Sequence, residues 1–317
     1  MLFRPYPGVP TYMPKKLPQW ILTIVGLLHG LLKWLNLPPS RGRDFILSYL
    51  MFASVVQRFP GRRMMLNDAL FRVKTGPMLR SELVAYLSDK ELVKRHIGKI
   101  VGDEYNVPTL AILRSPEEVD SFVFPRRCVI KPTHASGEYI ARKRGEPLDL
   151  ARIKGWFELS YYQASLEPNY RHLIPKVIVE PFVFGKNDAR ELKIMCVGGK
   201  VRSINCISGR FATYSVVYYD ADWNEVHYNV VPKSTPRKFE RPENLPEILA
   251  VAERLARDFF FTRIDFYLDG NSFKCGEITH CSGGAMAIYE PWEGEIEHSQ
   301  MLFSGTSQAD WNRFFSE

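Results

Sequence analysis

Hydrophobic positions recur with a helical period in three stretches of the chain. Residues 19–37, 44–59 and 80–101 place apolar side chains three and four positions apart, which predicts three helices. Prolines directly after residues 37 and 59 end the first two helices, and Ser88 is placed to cap a helical turn before Asp89. Residues 1–18 are rich in proline and basic residues and have no period, so we expect an arm.

Runs with the shorter period of β-strands follow. Strands are predicted at residues 107–113, 127–131, 139–142, 176–183, 192–197, 200–207, 212–219, 261–268 and 272–279. Helices are predicted at residues 149–165 and 245–258, with a short one opened by Ser115-Pro116. Asp269-Gly270-Asn271 is a strong signal for a hairpin turn. Antiparallel strand pairs with helices on one face indicate an α+β fold rather than a doubly wound parallel sheet.

Composition narrows the class of protein. A chain of 317 residues with 45% hydrophobic residues can bury a sizeable core and fold as two or three lobes. The net charge of +7 fits an anionic substrate, an anionic membrane surface or nucleic acid, and charge alone does not choose among them. Five cysteines without a C-x-x-C pair argue against a disulfide framework or a zinc knuckle and favour a reducing compartment.

Residues 19–37 form the one membrane-like stretch. They lack a small-residue cleavage site, which argues against a signal peptide. His29, Lys33 and Asn36 interrupt a run that is barely as long as the ~20 apolar residues of a spanning helix. Tryptophans near both ends and flanking basic residues are typical of an interfacial helix that lies on a bilayer. A helix packed on the main body or on a partner protein is the alternative.

The last two predicted strands carry the first candidate site. Arg263 and Asp265 share one face of their strand, and Glu277 and Thr279 share one face of the hairpin partner. If the two faces coincide, the carboxylates can hold magnesium together with nucleotide phosphates, and the arginine can neutralise a transferred phosphate. A solvated surface pair is the alternative, but the largely apolar surroundings favour a site.

Two further strands carry weaker signals. Lys131 ends an apolar strand before a loop of small residues, 133–138, which suits a lid over phosphates, although the loop is not a Walker A motif. An ordinary hairpin loop is the alternative. Glu180 ends a second apolar strand, and Phe182 and Val183 after it offer an adenine-binding edge, where a plain core strand is the alternative.

Taken in chain order, the strand and loop at Lys131, the strand ending at Glu180 and the hairpin that carries Asp265 resemble the ATP-grasp superfamily. The resemblance is closer to its TupA-like branch of the teichuronopeptide-biosynthesis type, which is found with surface-polysaccharide synthesis. The resemblance runs from about residue 66 to residue 290. Its motifs are Ser88-Asp89-Lys90, Gly102-Asp103-Glu104-Tyr105, Val107-Pro108-Thr109-Leu110, Val129-Ile130-Lys131-Pro132, Val179-Glu180-Pro181-Phe182-Val183, Glu191-Leu192-Lys193, Tyr219-Asp220-Ala221-Asp222-Trp223, Arg263-Ile264-Asp265 and Gly276-Glu277-Ile278-Thr279. Their order and spacing, rather than any one string, make the resemblance specific.

The resemblance implies that ATP binds between two lobes. The implied nucleotide-binding positions are Lys90, Lys131, Ser136, Gly137, Glu180, Phe182, Val183 and Glu191. The two lysines contact phosphates, and the serine and glycine belong to the lid loop. Glu180 lies near the adenine amino group, the backbone of the next two positions reads the adenine edge, and Glu191 binds ribose hydroxyls. Asp188 is an alternative for the ribose.

The resemblance also implies a magnesium site and basic residues at the transferred phosphate. Asp265 and Glu277 match the metal ligands, and Thr279 stands where many relatives have asparagine, so its oxygen would bind magnesium directly or through water. The positions implied in phosphate transfer are Lys193, Arg210 and Arg263. Residues 210–217 carry fewer basic side chains than relatives often have, so the acceptor is expected to differ.

We expect four regions: residues 1–60 as an arm with apolar helices, 61–125 as an N-terminal lobe, 126–183 as the lid subdomain, and 184–317 as the C-terminal subdomain with the magnesium site. The expected activity is an ADP-forming carboxylate–amine ligase that acts through an acyl-phosphate on an anionic, glycan-linked acceptor. A phosphotransferase acting on a hydroxyl and an inert nucleotide-binding scaffold are the alternatives. We expect a cytoplasmic protein on the inner face of the membrane, and nucleic acid fits poorly because no RNA-binding signature is present.

Three lesser candidates lie near the expected site. His134 in the lid loop and His280 after Thr279 are placed to assist proton transfer, with a structural role as the alternative. Ser282-Gly283-Gly284 offers backbone N–H groups to an acceptor.

Overall fold

The computed structural model of the protein describes residues 8–186, 189–209, 214–226, 228, 230 and 238–316. The α-helices are α1 Gln19–Trp34, α2 Arg41–Val56, α3 Leu66–Thr75, α4 Glu82–Ser88, α5 Leu92–Ile100, α6 Pro116–Ser121, α7 Leu150–Gly155, α8 Tyr161–Ser165, α9 Leu245–Ala256, α10 Gly294–Leu302 and α11 Gln308–Ser316. The strands are β1 Ala111–Leu113, β2 Cys128–Pro132, β3 Ile140–Arg142, β4 Val177–Glu180, β5 Arg190–Val197, β6 Lys200–Ser208, β7 Ser215–Asp220, β8 Glu225–Val226, β9 Phe261–Asp269 and β10 Ser272–Thr279. Mixed helix and antiparallel sheet confirm the predicted α+β class.

A small sheet has the strand order β1-β4-β2-β3, with every neighbouring pair antiparallel. Its buried face packs against α6 and α7, where Val119 and Ile153 are fully buried beside Ile130 and Val179. The two strands predicted at residues 127–131 and 139–142 are therefore present and pair with each other. β1 also belongs to this sheet, although it lies before residue 126, where we expected the lid subdomain to begin.

A large sheet has the strand order β10-β9-β5-β6-β7-β8 and is also antiparallel. α9 packs on β5, β6 and β9, and its buried positions Ile248, Val251, Ala252 and Leu255 recur at helical spacing. The β9–β10 hairpin turns at Gly270 and Asn271, as the sequence predicts.

A buried ion triad holds the helices that precede the sheets to the C-terminal helices. The guanidinium of Arg58 donates to Asp68 Oδ1 at 2.9 Å and to Glu295 Oε1 at 2.8 Å, and the three side chains are at most 2% exposed. Glu295 lies on α10 and Asp68 on α3, so the triad connects segments that are far apart in sequence. Within the described residues, no helix is long and apolar enough to cross a membrane.

Two predicted helices are interrupted in the structure. Residues 80–101 form α4 and α5 with a break at Asp89, whose Oδ1 accepts hydrogen bonds from the N–H groups of Glu91 at 2.8 Å and Leu92 at 3.1 Å. The prediction of Ser88 as the cap was wrong, because its hydroxyl donates to the carbonyl of Val84 at 2.7 Å. Residues 149–165 are divided by a 3₁₀ turn at Trp156–Glu158, where the indole of Trp156 enters the small-sheet core.

The predicted strand at residues 107–113 is also shorter in the structure. Only Ala111–Leu113 is a strand, because these are the residues that pair with Val177–Val179 of β4. Before this strand, the Val107 carbonyl and the Thr109 hydroxyl accept hydrogen bonds from Lys94 of α5.

Candidate active site

A cleft of ≈ 320 Å³ lies between the two sheets. One wall comes from the small sheet and the segment after β4, and the other comes from β5, β9 and β10 of the large sheet. Its lining contains most of the sequence-predicted site: Lys90, Lys131, Ser136, Gly137, Glu180, Phe182, Val183, Glu191, Lys193, Arg263, Asp265 and Glu277. Arg210 and Asp188 lie outside the described residues.

Strand register places three charged side chains in a row across the large sheet. Lys193 of β5 is opposite Asp265 of β9, and Asp265 is opposite Glu277 of β10. Directly opposed residues of an antiparallel pair project to the same face, so the three groups face the cleft together. The faces of the predicted hairpin therefore coincide, and the buried Asp265, 8% exposed, does not belong to a solvated surface pair.

A β-bulge makes this alignment possible. The register of β9 and β10 shifts between Cys275 and Glu277, so that Glu277 rather than Gly276 stands opposite Asp265. Gly276 also leaves room for the ring of Tyr267, because a Cβ atom at residue 276 would lie 2.6 Å from that ring. The residue before Glu277 must therefore be glycine for the hairpin to keep its geometry.

Asp265 is surrounded by cations. Arg263 donates from Nε to Oδ1 at 2.6 Å and from Nη2 to Oδ2 at 2.8 Å, and Lys193 donates to Oδ2 at 2.7 Å. Burial alone would raise the pKa of Asp265, but the two cations lower it to about 2. The carboxylate is thus ionised at neutral pH and is held in one orientation.

The oxygen donors fit magnesium. Asp265 and Glu277 supply hard carboxylate oxygens, which Mg²⁺ prefers, and it usually takes its remaining ligands from water and phosphates. The described residues contain no cluster of three or more His, Cys, Asp and Glu side chains that would hold a metal without such ligands. Thr279 accepts a hydrogen bond from Arg263 Nη2 at 3.3 Å, and its role as a ligand stays a prediction.

Glu180 lies between two lysines on the opposite wall. Its carboxylate accepts from Lys131 at 2.7 Å and from Lys94 at 2.5 Å. Burial alone would raise the pKa of Glu180, but the two lysines lower it. Burial alone would lower the pKa of Lys131, but Glu180 raises it. Glu180 therefore orients two ammonium groups at the cleft.

Lys94 is a charged cleft residue that sequence reasoning missed. It also donates to the Val107 carbonyl and the Thr109 hydroxyl, both at 2.8 Å, and burial lowers its pKa. The only sequence signal was its position four residues after Lys90, a spacing that many surface lysines share.

Lys90 connects the α4–α5 break to the lid loop. Its ammonium donates to the Ala135 carbonyl, and its N–H donates to the Thr133 carbonyl at 3.1 Å. Burial lowers the pKa of Lys90. The loop that follows contains Ser136, which interacts with Tyr161, and Gly137, which has a φ of +86° that strains other residues.

The segment after β4 forms the apolar end of the cleft. Phe182 is 6% exposed, and the guanidinium of Arg127 lies 5.0 Å from its ring centroid. Arg127 also donates to the Gly185 carbonyl at 2.9 Å, which fixes the turn Val183–Gly185. Glu191 lies in the same cleft on β5, on the strand face that carries Lys193.

The lesser candidates lie beside the cleft rather than in its lining. His280 packs against the Phe259 ring at 4.4 Å between centroids, and burial lowers its pKa to about 4. Burial also lowers the pKa of His134. Ser282 accepts a hydrogen bond from Arg263 Nη1 at 2.7 Å, and so supports the arginine. The described lining therefore favours structural roles for the two histidines.

Comparison with protein families agrees with this geometry. The family model for TupA-like ATPgrasp matches residues 74–295, which include both walls of the cleft. The chain belongs to this family. Comparison with curated proteins gives no significant match.

Solved structures of ATP-grasp ligases resemble the TupA-like chain at low identity. D-Alanine-D-alanine ligase from Helicobacter pylori is 14% identical with a TM-score of 0.37, over 68% of this chain and 61% of that protein. The Bacillus anthracis enzyme complexed with ATP is 16% identical with a TM-score of 0.38, over 65% and 58%. The ATP-grasp ligase PsnB is 13% identical with a TM-score of 0.38, over 72% and 62%. The chain thus spans about three fifths of these proteins, and the family match alone carries the assignment.

Proposed function

We propose that the protein is an ATP-dependent ligase that activates an acceptor carboxylate as an acyl-phosphate and joins it to an amine. One observation carries the proposal: Lys131, Lys193 and Arg263 converge with Asp265 and Glu277 on a single cleft. Cations and carboxylates at one place suit a nucleotide whose phosphates are held by lysines and by a metal ion.

The nucleotide would lie along the cleft between the sheets. Phe182 and Val183 would offer apolar contact and backbone hydrogen-bonding groups to the base. Glu191, on β5 of the large sheet, would bind the ribose hydroxyls. Lys90 and Lys131 would then reach the phosphates, with the loop at Ser136 and Gly137 above them. Glu180 is held by Lys94 and Lys131, so its first task is to position these ammonium groups.

Asp265 and Glu277 would hold Mg²⁺, which neutralises phosphate charge when bound. Arg263 and Lys193 contact Asp265 at the cleft, and their cationic groups would also be available to phosphate oxygens there. Ser282, which accepts from Arg263 Nη1, helps to hold the guanidinium at the cleft.

The protein would supply charge and position rather than a nucleophile. A carboxylate oxygen of the acceptor attacks the γ-phosphorus, the bond from that phosphorus to the bridging oxygen breaks, and ADP leaves. The amine then attacks the acyl carbon, its proton is lost to solvent or a base, and phosphate leaves. Lys131, Lys193 and Arg263 spread the charge of the transferred group in the first step.

An anionic acceptor suits the protein. The chain carries a net charge of +7, and the described cleft presents several ammonium and guanidinium groups. The family's association with surface-polysaccharide synthesis supports a sugar acid or a peptide of a surface glycan as the acceptor.

Heavy-oxygen labelling tests the mechanism. The full chain is incubated with Mg-ATP, a uronic acid labelled with ¹⁸O in its carboxylate, and amino acids as amines. A ligase transfers one labelled oxygen from carboxylate to inorganic phosphate for each amide formed. A phosphotransferase instead keeps the phosphoryl group on a hydroxyl product and needs no amine. Unlabelled phosphate from a coupled reaction overturns the acyl-phosphate step.

A further inference from the structure

One side of α1 is apolar and uncovered in the described structure. Its residues follow the spacing i, i+4, i+7, i+8, i+11, i+14 and i+15, which places them along one side of a helix. We call this surface the α1 outer face: Trp20, Ile24, Leu27, Leu28, Leu31, Trp34 and Leu35. The side chains of Trp20, Leu27 and Trp34 are 66%, 70% and 79% exposed. Scattered apolar residues are normal on a surface, but a continuous row is a mark of an interaction site.

The α1 outer face does not hold the fold together. α1 packs on α2 through its other side, where Val25 is only 4% exposed. The N–H of Leu17 donates to the Gln57 carbonyl at 2.8 Å, and Lys16 lies 4.8 Å from the Trp292 ring centroid. The helix is thus fixed on the body by its inner side, and its outer side is free to meet something else.

Further large apolar side chains are exposed after α1. Leu37 after the helix is 43% exposed, and Phe45 and Ile46 on α2 are 44% and 49% exposed. Two adjoining helices therefore present large apolar side chains to the outside. α1 has 16 residues, so it is about 24 Å long, and it cannot cross a hydrocarbon core ~30 Å thick while its inner side is packed on α2.

Charge indicates what covers this surface. Residues 1–43 contain no Asp or Glu. The first acid, Asp44, is 2% exposed and lies 2.7 and 2.8 Å from the Tyr162 hydroxyl. The exposed charges that this segment itself places beside the α1 outer face are therefore cations: Lys15, Lys16, Lys33 and Arg41. Glu293 and Glu297 of the body line the same cavity as Lys15 and Lys16, whereas Lys33 and Arg41 lie at the other end of the helix. Phospholipid phosphates complement the basic border that this segment contributes, whereas a second copy of this surface would meet it with the same charge.

We propose that the α1 outer face docks on the surface of an anionic phospholipid bilayer. The leucines and Ile24 enter the boundary between headgroups and acyl chains, and Trp20 and Trp34, at the two ends of the helix, lie at headgroup level. The basic border binds lipid phosphates. The two helices then hold the cleft at the membrane surface. This proposal does not depend on the reaction.

Vesicle co-sedimentation tests the docking. The full chain is mixed with vesicles of phosphatidylcholine alone and of equimolar phosphatidylcholine and phosphatidylglycerol. We expect sedimentation with the anionic vesicles, weakened by salt, and roughly tenfold or greater loss of affinity in Leu27→Ser/Leu31→Ser. Val123→Ser/Ile174→Ser is the matched control, because these side chains are 89% and 74% exposed elsewhere on the protein and should bind as wild type.

Two further readouts separate a bilayer from other occupants. Tryptophan fluorescence should shift to the blue on anionic vesicles, and Trp20→Phe/Trp34→Phe should lose most of that shift while still sedimenting. Sedimentation velocity without lipid should give the same mass for wild type and Leu27→Ser/Leu31→Ser. The proposal is overturned if wild type ignores anionic vesicles, if the serine variant binds them equally, or if wild type forms a dimer that this variant abolishes.

Discussion

Arg263 and Asp265, two positions apart on β9, are joined by two hydrogen bonds of 2.6 and 2.8 Å. Side chains at this spacing share one strand face, so the pair is dictated by the local backbone. Lys193 adds a third hydrogen bond to the same carboxylate from the neighbouring strand. A metal ion at Asp265 must therefore compete with two cations, and Glu277, opposite Asp265, supplies the second negative charge.

Asp265→Asn and Glu277→Gln should each reduce magnesium-dependent turnover by about 100-fold or more, because each would remove a charged ligand of the proposed magnesium site. The fold should persist because the amide substitutes keep the shape of the side chains, but Asp265→Asn should lower the melting temperature, since it leaves Arg263 and Lys193 without their shared carboxylate. Turnover is measured as ADP release across a magnesium titration. Asp258→Asn, at an exposed position just before β9, is the control and should match wild type. Near-normal turnover in both variants would remove these residues from the metal site.

Lys131→Met should weaken ATP binding by about tenfold, because an ammonium group would be lost from the proposed phosphate site and Glu180 would keep only Lys94. Lys94→Met should weaken binding as well, because Glu180 would then pull Lys131 more strongly to itself. Isothermal titration calorimetry measures both affinities. Lys99→Met, on the exposed side of α5, is the control. Wild-type affinity in Lys131→Met would place the phosphates elsewhere.

The sequence predicts which side chains of β9 and β10 share a face, because strand spacing of two fixes it. It does not predict the bulge at Gly276, which decides that Glu277 rather than its neighbour stands opposite Asp265. The role of Lys94 in the cleft could not be predicted from the sequence for a related reason. Its contact with Glu180 joins residues 86 positions apart, and only the packing of α5 beside the small sheet brings them together.

Local patterns were also ambiguous at helix ends. Ser88 and Asp89 both have the side chains of helix caps, and the choice between them depends on tertiary contacts. Asp89 caps α5 while its other oxygen accepts from Thr133, and Lys176 lies 3.1 Å from it. These partners come from distant segments, so the interruption of the helix is not readable from residues 80–101 alone.

Arg58→Met should destabilise the protein by about 3–5 kcal/mol, because it leaves Asp68 and Glu295 buried without their shared cation. Urea unfolding at neutral pH measures the free energy of unfolding. Arg62→Met, at an exposed position nearby, should change it by less than about 0.5 kcal/mol. A loss in Arg58→Met no larger than that of the control would mean that the triad contributes nothing to the docking of the helices.

Glu167 should make the stability of the protein fall as pH rises toward neutrality. The side chain is 6% exposed, and burial raises its pKa to about 7, with Glu277 adding to the rise and Lys74 opposing it. In the unfolded chain a glutamate titrates near pH ~4.3. Between these two values the folded protein binds a proton that the unfolded chain has released. The stabilising contribution is therefore complete below pH ~4.3 and is lost as pH rises through about 7.

Glu167→Gln isolates this contribution, because glutamine keeps the shape of the side chain and does not titrate. The free energy of unfolding of the variant minus that of wild type should increase by about 1.4 kcal/mol per pH unit between pH ~5 and ~7 and level off above. Urea unfolding at a series of pH values measures the difference, so that all other titrating groups cancel. Glu158→Gln, at an exposed position, should give a flat difference over the same range. If the difference in free energy of unfolding is also flat for Glu167→Gln, folding does not shift the pKa of Glu167. If that difference decreases as pH rises, folding lowers the pKa of Glu167.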